Sequence, residues 1–167
     1  GMNNSVRVND LSHPFLKTTE NSNKILLRFT TSYSDNPSSS DPMVVYFDEN
    51  ATPDFDSNFD ALKLMNTDEK VTNFYAILPD GTKLSIDALP EMIDPITTIP
   101  LGLINYQSGQ VSFRIRDYEN LIPGMKIYLH DAATGVNQDL LEEPEYKINL
   151  DAGEYLNRFS IKVLDGT

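Results

Sequence analysis

The chain contains no cysteine and no tryptophan, and only two histidines. Without thiolates it holds no disulfide, no iron–sulfur cluster, no thiolate zinc site and no cysteine nucleophile. The absence of disulfides does not by itself assign a compartment, because a domain of 167 residues can build a sufficient core without covalent staples. No apolar run approaches the roughly 20 residues that span a bilayer, so membrane insertion by a helix is not expected. Positive charge is scarce. Thirteen Lys and Arg face 25 Asp and Glu, for a net charge of −12. A surface of that sign repels polyanions, which argues against nucleic acid and anionic membrane as partners. There is no P-loop, no H-E-x-x-H, no G-x-G-x-x-G and no G-x-S-x-G elbow.

What is present is a succession of short alternating segments bounded by turn residues. Ile25, Leu27 and Phe29 alternate with Leu26, Arg28 and Thr30, and Met43, Val45 and Phe47 alternate with Val44 and Tyr46. Phe74, Ala76 and Leu78 lead into Pro79-Asp80-Gly81-Thr82, a hairpin signal in which both central positions are expected at positive φ. The return strand is expected to turn Leu84, Ile86 and Ala88 inward and Lys83, Ser85 and Asp87 outward. Leu101 and Leu103 mark another strand. In Val111, Phe113 and Ile115 the apolar face alternates with Ser112, Arg114 and Arg116. Pro123-Gly124 suits a type II turn, and further strands follow at Ile127 and Leu129, at Tyr146 to Leu150, and at Phe159 to Val163. The helical period is nearly absent, and one short helix is expected near 58–65, capped by Asp56 or Ser57.

The expected fold is therefore all-β: an antiparallel two-sheet β-sandwich, with a jelly roll as one form of closure. A polar lead-in is expected over 1–14, one domain over 15–164 and a tail over 165–167. Gly1 before Met2 reads as an expression scar, with a native leader expected upstream.

The acidic run FDENATPDFDSNFDALKL, Phe47 to Leu64, carries the sharpest choice. Asp54, Asp56, Asn58 and Asp60 are candidate calcium ligands, since alternate residues of a curled loop can aim several oxygens inward. The run is not an EF-hand: Phe59 stands where that loop needs glycine, and Met65 where it needs the bidentate glutamate. The competing reading is a tied turn, in which these side chains cap loop amides or pair with Arg158 or Lys63. His130 beside Asp131 suggests a His–Asp contact, but a triad lacks its serine. Glu142 and Glu143 sit in a proline-flanked turn and read as a solvated edge rather than a glycosidase pair. Tyr33, Tyr106 and Tyr118, in predicted loops or at strand ends, are candidate glycan contacts. The alternative is that they are rim residues with buried rings and wet hydroxyls. No catalytic residue is assigned.

Seven segments in order resemble a β-sandwich module of large secreted proteins from Bacteroidetes. They are FLKTTENSNKILLRFT, VVYFDENATPDFDSNFDALKL, NFYAILPDGTKLSIDALP, IPLGL, IYLHDAATGVNQDL, YKINLDAG and NRFSIKVL. That module often precedes the C-terminal sorting domain of the type IX secretion route. Where the family often carries Gly before the first aromatic of the acidic run, this chain has Asp54. The resemblance implies a secreted or cell-surface accessory module without catalytic residues. Its partners would be other domains of the same polypeptide or surface components, with glycan as the alternative. It also suggests that Arg158, in Asn157-Arg158-Phe159, is held by Asp56 or Asp60, tying the loop to the last strand.

Overall fold

The computed structural model describes residues 24–91 and 95–165. The lead-in 1–14 with His13, residues 15–23 of the expected domain, and residues 166–167 lie outside the described residues. Eleven strands form: β1 (Leu26–Tyr33), β2 (Asp41–Phe47), β3 (Ala61–Leu62), β4 (Asn73–Ile77), β5 (Lys83–Leu89) and β6 (Ile96–Asn105). They continue with β7 (Gly109–Glu119), β8 (Lys126–Asp131), β9 (Val136–Asp139), β10 (Glu145–Leu150) and β11 (Gly153–Leu164).

The all-β expectation holds, and no helix occurs among the described residues. The helix expected at 58–65 is replaced by a single turn, in which the amides of Phe59 and Asp60 both donate to Asp56 O, at 2.9 and 2.7 Å. Chain extension follows at once: Ala61–Leu62 pairs with β5, and the Lys63 amide donates to Lys83 O at 3.0 Å. One turn cannot repay helix nucleation when a sheet edge offers the same backbone groups a partner.

The hydrogen-bonded order is β10-β7-β1-β2-β5-β4-β6-β11-β8-β9, with β3 alongside β5. The strands thus form one continuous sheet, rolled nearly closed, rather than two clearly separate sheets. Pairing is antiparallel except between β2 and β5, which run parallel. The two ends of the path are stitched by a side chain: Gln138 Nε2 donates to Glu143 O and Glu145 O at 2.9 and 2.7 Å. Inside the roll, Phe113 of β7 meets Phe74 of β4 edge-on at 5.8 Å and Phe159 of β11 at 4.7 Å. These rings bridge strands distant in the sheet order, and such pairs contribute beyond their area.

The predicted inward residues of β1, β2, β7, β8 and β11 lie in this core. β5 departs from prediction. Leu84 enters the main core, but Ala88 joins a second, smaller cluster with Leu26, Tyr46 and Ala51, against which Ile86 packs. Register places Asp87 beside Val45, a core residue, and Asp87 is buried rather than outward. The acidic run causes this. It folds over the outer side of β2 and β5, where Phe59 packs on the second cluster, so both faces of those strands are covered.

Turns follow their residues closely. Gly124 takes φ 90° as a type II turn requires, whereas at Asp80-Gly81 only the glycine, φ 92°, has positive φ. Gly102 is required for another reason. It sits opposite Tyr75, and a Cβ there would lie 2.0 Å from Tyr75 Cε1. Tyr75 is fully buried, with its hydroxyl donating to Glu154 at 3.0 Å. Gly102→Ala is expected to lower stability by about 3 kcal/mol, since the ring has no room to move aside. A denaturant midpoint equal to wild type would show that the ring can slide.

Candidate functional site

The acidic run is a tied turn. Asp60, 9% exposed, accepts from the Asp56 amide through Oδ2 at 2.7 Å and from the Ala88 amide through Oδ1 at 2.8 Å. Asp56 Oδ1 accepts from the Asn58 amide at 2.9 Å, an Asx turn. Asp54 is exposed, and its carbonyl accepts from Thr52 Oγ1 at 3.1 Å. The Tyr46 hydroxyl donates to Phe59 O at 3.0 Å from below. Asp60 is thus turned toward backbone amides, and no metal-holding group of three or more His, Cys, Asp or Glu occurs among the described residues. The melting temperature is expected to be the same in calcium as in chelator. A rise that scales with calcium concentration would show that the run takes up the cation.

Arg158 does not reach Asp56 or Asp60. It pairs with Asp131 instead, through Nε to Oδ1 at 2.8 Å and Nη2 to Oδ2 at 3.1 Å. Asp131 has a fully buried side chain, and its other partners are the Tyr146 hydroxyl at 2.9 Å and the Ala133 amide at 3.0 Å. One carboxylate therefore ties together the end of β8, β10 and β11. Burial alone would raise its pKa. The hydrogen bonds from Arg158, Tyr146 and Ala133 outweigh that and hold it below the usual carboxylate range. The guanidinium also lies over the Phe159 ring at 5.0 Å and the Tyr155 ring at 5.8 Å. Arg158 can bend inward because β11 bulges between Leu156 and Ser160, with Asn157 at φ 65°.

The expected His130–Asp131 contact does not form. Neighbours on a strand point to opposite faces, and His130 Nδ1 instead meets Asn137 Oδ1 at 2.8 Å. Lys63 is a partner, though not of the acidic run: its Nζ lies 2.5 Å from Asp41 Oδ2, with both side chains buried. The same carboxylate oxygen accepts from the Phe74 amide at 2.6 Å. Glu142 and Glu143 are exposed in a turn, as a solvated edge should be.

The three tyrosines are not gathered on one surface. Tyr33 is buried, and its hydroxyl accepts from the amides of Tyr106 and Gln107 at 2.9 and 3.1 Å. The Tyr106 hydroxyl donates to Asn66 O at 2.9 Å and accepts from Asn73. Tyr118 lies at the far end of β7, seven residues from the Val111 that pairs with Tyr33, or about 23 Å along a strand. Sequence reasoning passed over a cleft of about 440 Å³ beside Arg158, lined by Ser108, Asn149, Asp151 and Tyr155 among others. The β11 bulge that carries Arg158, one of its lining residues, leaves no mark in the alternation pattern.

Residues 1–163 match the family model described as a domain of unknown function, DUF8693. The chain belongs to the DUF8693 family. No curated protein and no solved structure matches it. The DUF8693 match extends across every strand named above except the final residue of β11.

Proposed function

We propose that this DUF8693 chain is a non-catalytic extracellular β-domain, a spacer, stabilising or adhesion element of a larger secreted or surface protein. The observation that carries the reading is how its buried acids are used. Among the described residues, five aspartates are buried. Asp41 and Asp48 each hold a lysine and a backbone amide, Asp60 holds two amides, and Asp131 holds Arg158, Tyr146 and an amide. Asp87, the fifth, does not line the cleft beside Arg158. Carboxylates held by amides, lysines, a tyrosine and an arginine are unavailable as acid, base or nucleophile. Within the same proposal the flattened roll is a sandwich of jelly-roll kind, and the address is the one the Bacteroidetes resemblance implies, with type IX secretion as the route.

Two measurements test it. The purified chain should show no turnover on glycoside, ester or phosphoester panels, and reproducible turnover abolished by one point substitution would overturn the reading. Proteinase K on intact cells should remove the domain from the full-length gene product. Protection equal to that of a cytoplasmic marker would refute the surface address. Carbohydrate binding stands as the second reading, favoured by the cleft at Tyr155 and Arg158 rather than by Tyr33, Tyr106 and Tyr118. Retardation in a glycan-loaded gel, lost in Tyr155→Ala, would support it.

A further inference from the structure

Three of the five arginines of this acidic chain, Arg28, Arg114 and Arg116, belong to the adjacent strands β1 and β7. Arg28 is already neutralised by Asp117 at 2.6 Å and Glu119 at 2.9 Å, and Arg114 is held by Glu145 at 3.1 Å. The Arg116 side chain has no ion pair or hydrogen bond among the described residues. Its freedom comes from a bulge. Arg28 pairs with Asp117 and Phe29 with Ile115, so Arg116 is the extra residue. In an unbroken ladder Arg116 would sit opposite Arg28, and like charges so placed repel. The bulge delivers Asp117 to Arg28 instead and leaves Arg116 aimed elsewhere.

Arg116 and Arg114 line a cleft of about 320 Å³, roofed by Pro37, Ser38 and Ser40 and floored by Thr30, Ser32 and Ser112. That volume lies at the low end of small-ligand sites. Thr30 and Ser32 are 6% and 8% exposed, yet neither hydroxyl oxygen is among the enclosed unpartnered atoms, so both are open to the cleft they line. Two hydroxyls open to a cleft beside an unpaired guanidinium can donate to a ligand that accepts hydrogen bonds. No Asp or Glu lines the cleft. Glu145 lies behind it, accepting from Ser112 Oγ and pairing with Arg114.

We propose that this cleft binds a tetrahedral oxyanion, sulfate or phosphate, either free or as a monoester on a larger molecule. Arg116 supplies the charge-assisted fork, Arg114 a second guanidinium shared with Glu145, and Thr30 and Ser32 supply hydroxyl donors. The proposal goes beyond the non-catalytic reading and does not depend on it. Attraction between exposed guanidinium and anion is screened by salt, so the interaction weakens as ionic strength rises.

The test is calorimetric titration of the whole chain at low ionic strength with inorganic sulfate, inorganic phosphate, dextran sulfate and unsulfated dextran. Binding of the first three or any of them, with unsulfated dextran silent, is expected. Arg116→Gln should weaken it by roughly tenfold or more, the loss of one charged hydrogen-bonding group. Ser32→Ala should weaken it several-fold. Lys162→Gln, which changes net charge equally on β11, should leave it unaltered. Tight binding of dextran sulfate with weak binding of the ions identifies an ester as the source, and comparable affinities identify the free ion. An unchanged thermal midpoint in Arg116→Gln shows that the variant is folded. No binding by any probe, or equal weakening in Arg116→Gln and Lys162→Gln, would overturn the proposal.

Discussion

Arg158→Ala is expected to lose about 3–5 kcal/mol of stability at neutral pH, because it strands the Asp131 carboxylate in a fully buried position. In a domain of this size that is a fall of roughly 10 °C in thermal midpoint. The pH dependence separates this cause from loss of packing over Phe159 and Tyr155. In wild type the folded-state pKa of Asp131 is depressed, so its contribution is complete above the unfolded value of about 4 and fades as pH falls through the folded value. In Arg158→Ala the burial that wild type overcomes is no longer opposed by the guanidinium, and the carboxyl prefers to be protonated. The gap between the two proteins should therefore be largest near neutrality and should narrow on acidification. Adding Asp131→Asn to Arg158→Ala should recover part of the loss, since no buried charge then remains. A midpoint unmoved by Arg158→Ala, or a deficit constant from neutral pH to acid, would remove the ion pair from the account.

That Arg158 is anchored was legible, and its anchor was not. The acidic run called for a basic partner and the resemblance put Arg158 there, but the sequence offers 25 acidic residues and no measure of which lies near. The acidic run drew attention by its density, yet density is how a tight turn looks when each carboxylate serves a neighbouring amide, as Asp56 and Asp60 do. The strands themselves were legible wherever one face is wet. In β7 the alternation of Val111, Phe113 and Ile115 with Ser112, Arg114 and Arg116 specifies which side is dry. It failed in β5, because the acidic run covers what would have been the wet face and the period-two rule loses its contrast. Net charge misled in a different way. A total of −12 averages over the molecule and conceals Arg114 and Arg116, neighbours on one face of β7, of which the bulge against β1 leaves Arg116 without a carboxylate.

Asp87→Asn is expected to stabilise the protein above pH 7 by on the order of 2–3 kcal/mol, an unusual sign for a substitution at a buried position. Asp87 is 4% exposed, sits beside Val45 in the parallel β2–β5 pair, and accepts no hydrogen bond among the described residues. Burial pushes its carboxyl up to about 6, with the negative charge of Asp60 adding to the effect. A raised acid binds its proton more tightly in the folded chain than in the unfolded one. Stability from this group is therefore greatest below the unfolded value of about 4 and is lost as pH rises through 6. Asparagine keeps the shape and removes the charge, so the advantage of the variant should vanish between pH 6 and 4. Asp131 acts in the opposite direction at lower pH, and the two together place maximum stability of the wild type on the acid side of neutrality. Denaturant midpoints of wild type and Asp87→Asn, measured from pH 4 to 8, decide the matter. If the variant is less stable at pH 8, the carboxylate must accept a bond that an amide cannot replace, and the burial of an unpartnered charge at this position would have to be abandoned.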